Sequence, residues 1–369
     1  MGGSVFGKNI TVSTWGESHG AALGAVVDGV PAGIELCEED IQKLLDRRKP
    51  GTSSVTTPRK EDDKVKILSG VFEGKTTGTP ISMMVENTSQ KSGDYSEIAS
   101  YYRPGHADYG FDSKYGFRDY RGGGRSSGRE TIGRVCAGAI CKKLLSQMGI
   151  EVFAYTRAIG DIEMDPSKFD KEQILKSVTA MPDKDADEKT VEFINECRSK
   201  GDSVGGVIEC VIRKMPAGVG EPVFDKFDAS LAKAVMSIGA IKAVEIGDGC
   251  LVSKMLGSEN NDEFGMDGQN VIKKTNHSGG ILGGITDGSD IVLRAYVKPT
   301  PSISSKQQTV NKSGEEIEIS IGGRHDPVVV PRAVVVVESM CAITALDLLM
   351  SNMHSKADSI INFYRNVTL

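Results

Sequence analysis

The chain has 369 residues, 39% hydrophobic and 25% charged, enough to bury a large core without disulfides or metals. Its 44 basic and 50 acidic residues leave a formal charge of −6, which argues against nucleic-acid or membrane-surface binding driven by net charge. Any anion must be captured by a local cluster of Arg and Lys. Seven cysteines without a CxxC and five scattered histidines without a zinc spacing read as reduced cytosolic thiols and no metal site. The start, MGGSVFGKN, lacks the regions of a signal peptide, and the apolar run at 333–337 is too short to span a bilayer, so the expectation is a soluble cytoplasmic protein. The composition is odd in its 43 glycines, many of them clustered, because clustered glycine marks backbone that approaches a ligand closely.

Residues 23–30, LGAVVDGV, read as a buried strand closed by Pro31-Ala32-Gly33. A helix is expected from Glu38, with Ile41, Leu44 and Leu45 on one face; it runs into Arg47, Arg48 and Lys49 and stops at Pro50-Gly51. From there to Arg129, Gly, Pro, Ser, Thr and Arg dominate, and so long a stretch reads as a functional or disordered loop. Residues 130–148 predict a helix ended by Gly149, and 171–178 and 189–198 two exposed amphipathic helices. Residues 205–213, GGVIECVIR, alternate as a strand, and Asp228 is expected to cap a helix running through Ser237. Then come a glycine-rich loop at 276–288, a strand at 290–297 and a last apolar helix at 338–352.

Length alone suggests two or three domains, but no low-complexity linker divides the chain. Gly16-Glu17-Ser18, a strand, Pro31-Ala32-Gly33, a helix, Gly123-Gly124-Arg125 and Cys136-Ala137 recur in order as Gly201-Asp202-Ser203, a strand, Pro216-Ala217-Gly218, a helix, Gly322-Gly323-Arg324 and Cys341-Ala342. The shared order favours one duplicated α+β unit, with pseudo-repeats at about 1–160 and 190–355.

Three stretches carry chemistry. In GESHG (16–20), Ser18 and His19 are neighbours, whose side chains diverge in extended chain, so a Ser–His nucleophile is not expected; His19 could instead give a proton to an anionic leaving group. In RPGHADYG (103–110), a Pro104-Gly105 turn presents His106 beside Arg103. In RDYRGGGRSSGRETIGR (118–134), glycines, Arg125, Arg129 and Arg134, and two serines lead into a helix N-terminus, the makings of a phosphate or carboxylate receptor. It is not a P-loop, because the Gly-Lys-Ser/Thr ending is missing, and an RNA-binding RGG segment would need repeats, aromatics and excess positive charge. Lys298-Pro299-Thr300 and the turn Arg324-His325-Asp326 add anion-handling and proton-accepting groups. The residues thus describe an enzyme for a multiply anionic small molecule, with room for a second phosphate-bearing ligand.

The stretches GESHGAALGAVVDGVP (16–31), GGRSSGRETIGRVCAGAI (123–140) and GRHDPVVVPRAVVVVESM (323–340) resemble the three signature blocks of the chorismate synthase family, and further similar segments follow in that family's order over nearly the whole chain. The resemblance implies a tetramer whose helices lie between antiparallel sheets, and anti-1,4-elimination of phosphate from 5-enolpyruvylshikimate 3-phosphate to give chorismate, with reduced FMN required although there is no net redox change. Carried over by position, His19 resembles the histidine beside the departing phosphate, His106 the one that protonates the flavin near N1, and Asp326 the acid that works with flavin N5 on the C6 proton. Arg48, Arg103, Arg129 and Arg324 match arginines that hold the substrate's anionic groups. Arg125, Ser126, Ser127, Gly239, Ala240, Gly283, Lys298, Pro299, Thr300, Pro301, Ser302 and Arg324 match flavin-binding segments. Arg48 and Ser54 fall where NADPH, the implied reductant, is contacted, although Ser54 stands where many members have Arg; Gly239 and Pro301 also vary. The competing class is a flavin-binding electron carrier, which would have no use for so many arginines.

Overall fold

The structure, a computed structural model, describes residues 3–49, 51, 62–88, 97–321 and 326–366. In the first half, β1 (Val5–Phe6), β2 (Thr11–Gly16) and β3 (Ala22–Asp28) are followed by α1 (Glu38–Arg48), β4 (Val65–Ile67), the hairpin β5 (Val71–Phe72) and β6 (Lys75–Thr76), β7 (Ile81–Glu86), α2 (Asp108–Tyr115) and α3 (Thr131–Gln147). The second half has β8 (Glu151–Ile159), β9 (Ile162–Glu163), α4 (Gln173–Lys176), α5 (Lys184–Ser199), β10 (Gly206–Arg213), α6 (Phe227–Met236) and β11 (Ile241–Ile246). It continues through α7 (Gly257–Asn260), the hairpins β12 (Phe264–Asp267)–β13 (Asn270–Lys273) and β14 (Ile281–Leu282)–β15 (Ile285–Thr286), β16 (Ile291–Val297), β17 (Gln307–Val310), β18 (Glu316–Ile319), α8 (Val330–Asn352) and α9 (Ala357–Asn366).

Two five-stranded antiparallel sheets, ordered β1-β2-β3-β7-β4 and β11-β16-β10-β8-β9, enclose the helices. α1 and α3 pack on the first sheet, α6 and α8 on the second, and α3 against α8. This is the expected α+β sandwich. Alternation decides which face each strand buries: Ile81, Met83 and Val85 of β7 point inward, as do Ile291, Leu293, Ala295 and Val297 of β16. Against β10 the alternation fails, since residues 208–212 are all buried. The helices cover one face there, while Met164, Ile174 and Met181 from the 162–181 segment cover the other around Phe153, Tyr155 and Val211.

The sheets repeat one plan. β2-β3-β7-β4 and β8-β10-β16-β11 have the same strand order, with a helix after the second strand, a short hairpin before β7 or β16, and a long helix later. The turns agree at the level of single hydrogen bonds. Thr76 Oγ1 donates to Pro31 O (2.7 Å) and accepts from Ile34 N (3.0 Å); Thr286 Oγ1 donates to Pro216 O (2.7 Å) and accepts from Val219 N (2.9 Å). Gly33 and Gly218 sit in these turns at φ of +91° and +99°, a region that L side chains disfavour.

Several elements differ from expectation. The stretch 51–129 is not one loop, for it supplies β4 to β7 and α2, including a central strand of the first sheet. The 189–198 helix begins at Lys184, capped by Asp183, whose carboxylate accepts from Asp185 N and Ala186 N. Only Gln173–Lys176 of the 171–178 helix forms. Asp228 lies inside α6 rather than at its cap. The last core helix starts at Val330, with Pro331 in its first turn, and α9 follows it. That core helix is long and apolar enough to cross a membrane, but 89% of its apolar window is buried within the protein.

α3 and α8 lie side by side in the same direction, so close that a Cβ on Gly138 would sit 2.2 Å from Ser339 Cβ. Below that contact Glu338 receives a two-pronged hydrogen bond from Arg47 (2.8 and 2.9 Å), another from Lys142, and the Ala154 N–H (3.1 Å). One buried carboxylate thus fastens α8 to α1, α3 and β8. Burial works against its ionised form, but the charges of Arg47 and Lys142 prevail and its pKa falls to about 2.

Candidate active site

The strand ends at Gly16, Glu86, Val297 and Gly206 mark one end of the sandwich, where α3 and α8 begin and α1 ends. Two long helices therefore aim the positive ends of their dipoles at one region. The loops that carry the sequence motifs meet there.

Their hub is Gly122-Gly123-Gly124, with φ of +66°, +96° and +54°. A Cβ on Gly122 would lie 2.4 Å from His19 Cε1 and 2.7 Å from its Nδ1, and one on Gly123 would lie 3.9 Å from the Arg103 guanidinium. Glycine is required because backbone passes directly against the imidazole. His19 is 7% exposed. Its Nδ1 lies 3.1 Å from Ser18 Oγ, and that hydroxyl donates to Arg121 O at 3.4 Å. The expectation that Ser18 and His19 would diverge is thus overturned, because 17–20 is a tight turn, closed by Gly20 N donating to Glu17 O, rather than extended chain. With its own proton given to the Arg121 carbonyl, Ser18 accepts from Nδ1–H, which orients the imidazole and makes the serine a poor nucleophile. Nearby, Arg121 hydrogen-bonds Asp119 and, with a smaller contribution from His19, lowers the pKa of that carboxylate.

Arg103 clasps Asp108 through Nε (2.8 Å) and Nη2 (2.7 Å) and is buried. Burial opposes ionisation of Asp108, but the Arg103 hydrogen bonds and charge, with Arg118 behind, hold its pKa below the usual carboxylate range. The following turn places His106 Nε2 2.8 Å from Ser302 Oγ, and Lys298 Nζ donates to Gly105 O at 2.7 Å. Lys298 N also donates to Ala240 O (2.9 Å), so the first-half histidine loop, 298–302 and 240 form one unit. Burial, and secondarily Lys242, lowers the pKa of Lys298.

Arg48 and Arg129 flank a single carboxylate. Arg48 Nη1 donates to Asp63 Oδ2 (2.7 Å) and Arg129 Nη1 lies 3.1 Å from Oδ1. Arg48 Nε also reaches Thr131 Oγ1 (3.2 Å) at the start of α3, and Arg129 Nε reaches Asn87 Oδ1 (2.9 Å) at the end of β7. Burial lowers the Arg48 pKa, with Arg332 adding to it against the pull of Asp63. Arg332, one turn into α8, ion-pairs with Asp326 and donates to Arg48 O at 3.1 Å. Asp326 is therefore joined to the arginine cluster at the head of α8.

The structure does not place every sequence candidate in a ligand-facing role. Arg125 donates to Gly16 O (2.9 Å) and Thr14 Oγ1 (2.7 Å), which fastens its loop to β2. Ser126 Oγ donates to Gly123 O (2.8 Å), and Ser127 accepts from Arg129 N. Arg134 bridges to Ser237 (Oγ 2.6 Å, O 3.0 Å), beside Gly239. Gly283 is elsewhere: it lies in the β14–β15 turn, next to Gly284, whose carbonyl accepts from Phe227 N at the far end of α6. The length of that ten-residue helix, about 15 Å, separates it from Ala240. Ser54 and Arg324 lie outside the described residues. Sequence reasoning missed Asp63, Asn87, Thr131 and Arg332; Asp63 sits in EDDK (61–64), which reads as a solvated charge run.

Comparison with known proteins agrees with this geometry. Residues 10–350 match the family model described as chorismate synthase. The chain is 64% identical to the chorismate synthase of Agathobacter rectalis over 367 residues, covering 100% of both chains. It is 51% identical to that of Methanococcoides burtonii, covering 98% of this chain and 100% of the other. A crystal structure of a chorismate synthase superposes with a TM-score of 0.76 at 33% identity, covering 98% of each chain. The electron-carrier alternative finds no support in these matches.

Proposed function

The chain belongs to the chorismate synthase family, and from that premise we propose how its residues carry the reaction. It is a carbon–oxygen lyase that eliminates phosphate from 5-enolpyruvylshikimate 3-phosphate in the anti-1,4 sense to give chorismate, the last step of the shikimate pathway. The carbon–oxygen bond to phosphate breaks, a proton leaves C6, and a second ring double bond forms. The observation that carries the reading of the site is the convergence of His19, His106 and Asp326 with Arg48, Arg103 and Arg129 where α3 and α8 begin.

In this reading Arg48, Arg103, Arg129 and the helix N-termini hold the substrate's phosphate and two carboxylates. His19, oriented by Ser18, donates a proton to the departing phosphate. Asp326, held in place by its ion pair with Arg332, accepts the C6 proton. His106, fixed by Ser302, holds a proton toward the cofactor's ring. The residues suit reduced FMN: Gly128 and Gly239 face open space, and Lys298 and Lys242 supply cationic charge beside 298–302. Bound there, reduced FMN would supply a transient electron that assists loss of phosphate. NADPH is the proposed reductant, although Arg48, one of its two implied contacts, is buried on Asp63.

The common plan of the sheets supports a duplicated unit, but with the second copy starting at β8 (Glu151–Ile159) rather than at about residue 190. Gly283 lies about one helix length from Ala240, and we read its flavin contact as made toward a neighbouring copy, in keeping with the homotetramer that the family implies. Free cysteines and a biosynthetic role favour the cytoplasm. The test is anaerobic incubation of the protein and substrate with dithionite-reduced or oxidised FMN. Phosphate and chorismate should appear only with the reduced form, and equal turnover with both would refute the cofactor assignment.

A further inference from the structure

We propose that Asp63 is a positioning residue for the lyase reaction, the shared counter-ion that holds Arg48 and Arg129 at the spacing the substrate's anionic groups require. The inference rests on the reading of those two arginines as substrate ligands. Asp63 lies in neither histidine loop nor the glycine-rich segment, and it would touch no substrate itself. Its side chain is fully buried, and its two oxygens divide between two guanidiniums from different elements, one at the end of α1 and one just before α3. Its backbone sits at φ +44°, a conformation that costs an L residue about 1–2 kcal/mol, and the ion pairs at both oxygens hold it there.

The geometry gives a reason for such a residue. Two guanidiniums bridged by one carboxylate repel each other once it is gone, and Arg332 also bears on Arg48, offset in part by its own partner Asp326. The outer anchors, Thr131 for Arg48 and Asn87 for Arg129, are neutral and do not cancel that repulsion. The carboxylate therefore sets the distance between the two arginines.

Asp63→Asn separates this role from simple charge balance, because the two predict opposite signs. Removing a negative charge beside an anion site should tighten substrate binding if Asp63 were only an electrostatic counterweight. If it positions the arginines, binding should weaken about ten- to a hundredfold, the usual cost of losing a group that orients binding residues. The experiment measures substrate affinity by calorimetry without flavin, where no turnover occurs, and KM and kcat with reduced FMN, with thermal melts to verify folding. We expect a raised Kd and KM with the larger change in KM, and the same direction for Asp63→Glu, which keeps the charge but displaces it. If Asp63→Asn does not fold, Asp63→Glu decides. Asp63→Asn should weaken binding less in an Arg129→Ala background than in the wild type, because the part of its effect that acts through Arg129 is already lost while the part through Arg48 remains. Unchanged or tighter binding in a folded Asp63 variant overturns the proposal. Unchanged binding in Arg48→Ala and Arg129→Ala overturns instead the substrate-site reading beneath it.

Discussion

Gly122→Ala should disable the enzyme without unfolding it. A Cβ at position 122 would lie 2.4 Å from His19 Cε1, 2.7 Å from Nδ1 and 2.9 Å from Ser18 Oγ, all well inside contact distance. The residue's φ of +66° adds about 1–2 kcal/mol of backbone strain for any L side chain. Overpacking in a tight site costs about 1–3 kcal/mol more, so the protein must absorb roughly 2–5 kcal/mol or move the imidazole. The cheaper route is to move it, because His19 lies on a short loop whereas β2 and β3 on either side are paired in register. Turnover should therefore fall about 10²-fold or more, as for loss of a positioned general acid, with a modest drop in melting temperature. Phosphate release under reduced FMN, compared with Gly110→Ala, gives the assay; Gly110 lies in α2 with no heavy atom within 4 Å of where its Cβ would stand. A folded Gly122→Ala protein with wild-type turnover would refute the reasoning that this backbone holds His19 in place.

His19→Ala and His106→Ala should each lower turnover about 10²–10⁴-fold while leaving flavin affinity largely intact, as measured by flavin fluorescence titration alongside phosphate release; wild-type turnover in either would remove its proton-donor role. Glu338 should make stability acid-sensitive. Its pKa drops from the ordinary glutamate value of 4.5 to about 2 on folding, so its contribution, about 3 kcal/mol, is full above pH 4.5 and is lost as pH falls towards 2. The stability gap between the wild type and Glu338→Gln, from denaturant titrations at several pH values, should shrink by that amount across the interval. A gap independent of pH would mean that the carboxylate is not held ionised by Arg47 and Lys142.

Local signals carried much of this account. The α3 helix and the β3, β10 and β16 strands fall within a residue or two of their expected spans; β16 buries alternate residues on the helix layer, whereas β10 is an apolar run buried on both faces. β7 was hidden because its six residues stand between a Gly- and Pro-rich turn and a polar loop, and its pairing with β3 is long-range. The histidines, arginines and glycines of the site stood out as motifs, but their counter-ions did not. Asp63 and Arg332 gain meaning only when α1, α3 and α8 converge, and such convergence leaves no spacing in the sequence. Arg125 shows the opposite case, a residue conspicuous in its motif whose guanidinium is spent on β2 backbone.

The most direct test of the central claim is a crystal structure of the ternary complex with 5-enolpyruvylshikimate 3-phosphate and oxidised FMN, read for the position of the substrate's phosphorus. It should lie where α3 and α8 begin, within hydrogen-bonding reach of His19 and of Arg48 or Arg129, with the flavin ring against His106 and Ser302. Phosphorus at the opposite end of the sandwich, by the Pro-Ala-Gly turns and Gly283, would contradict it.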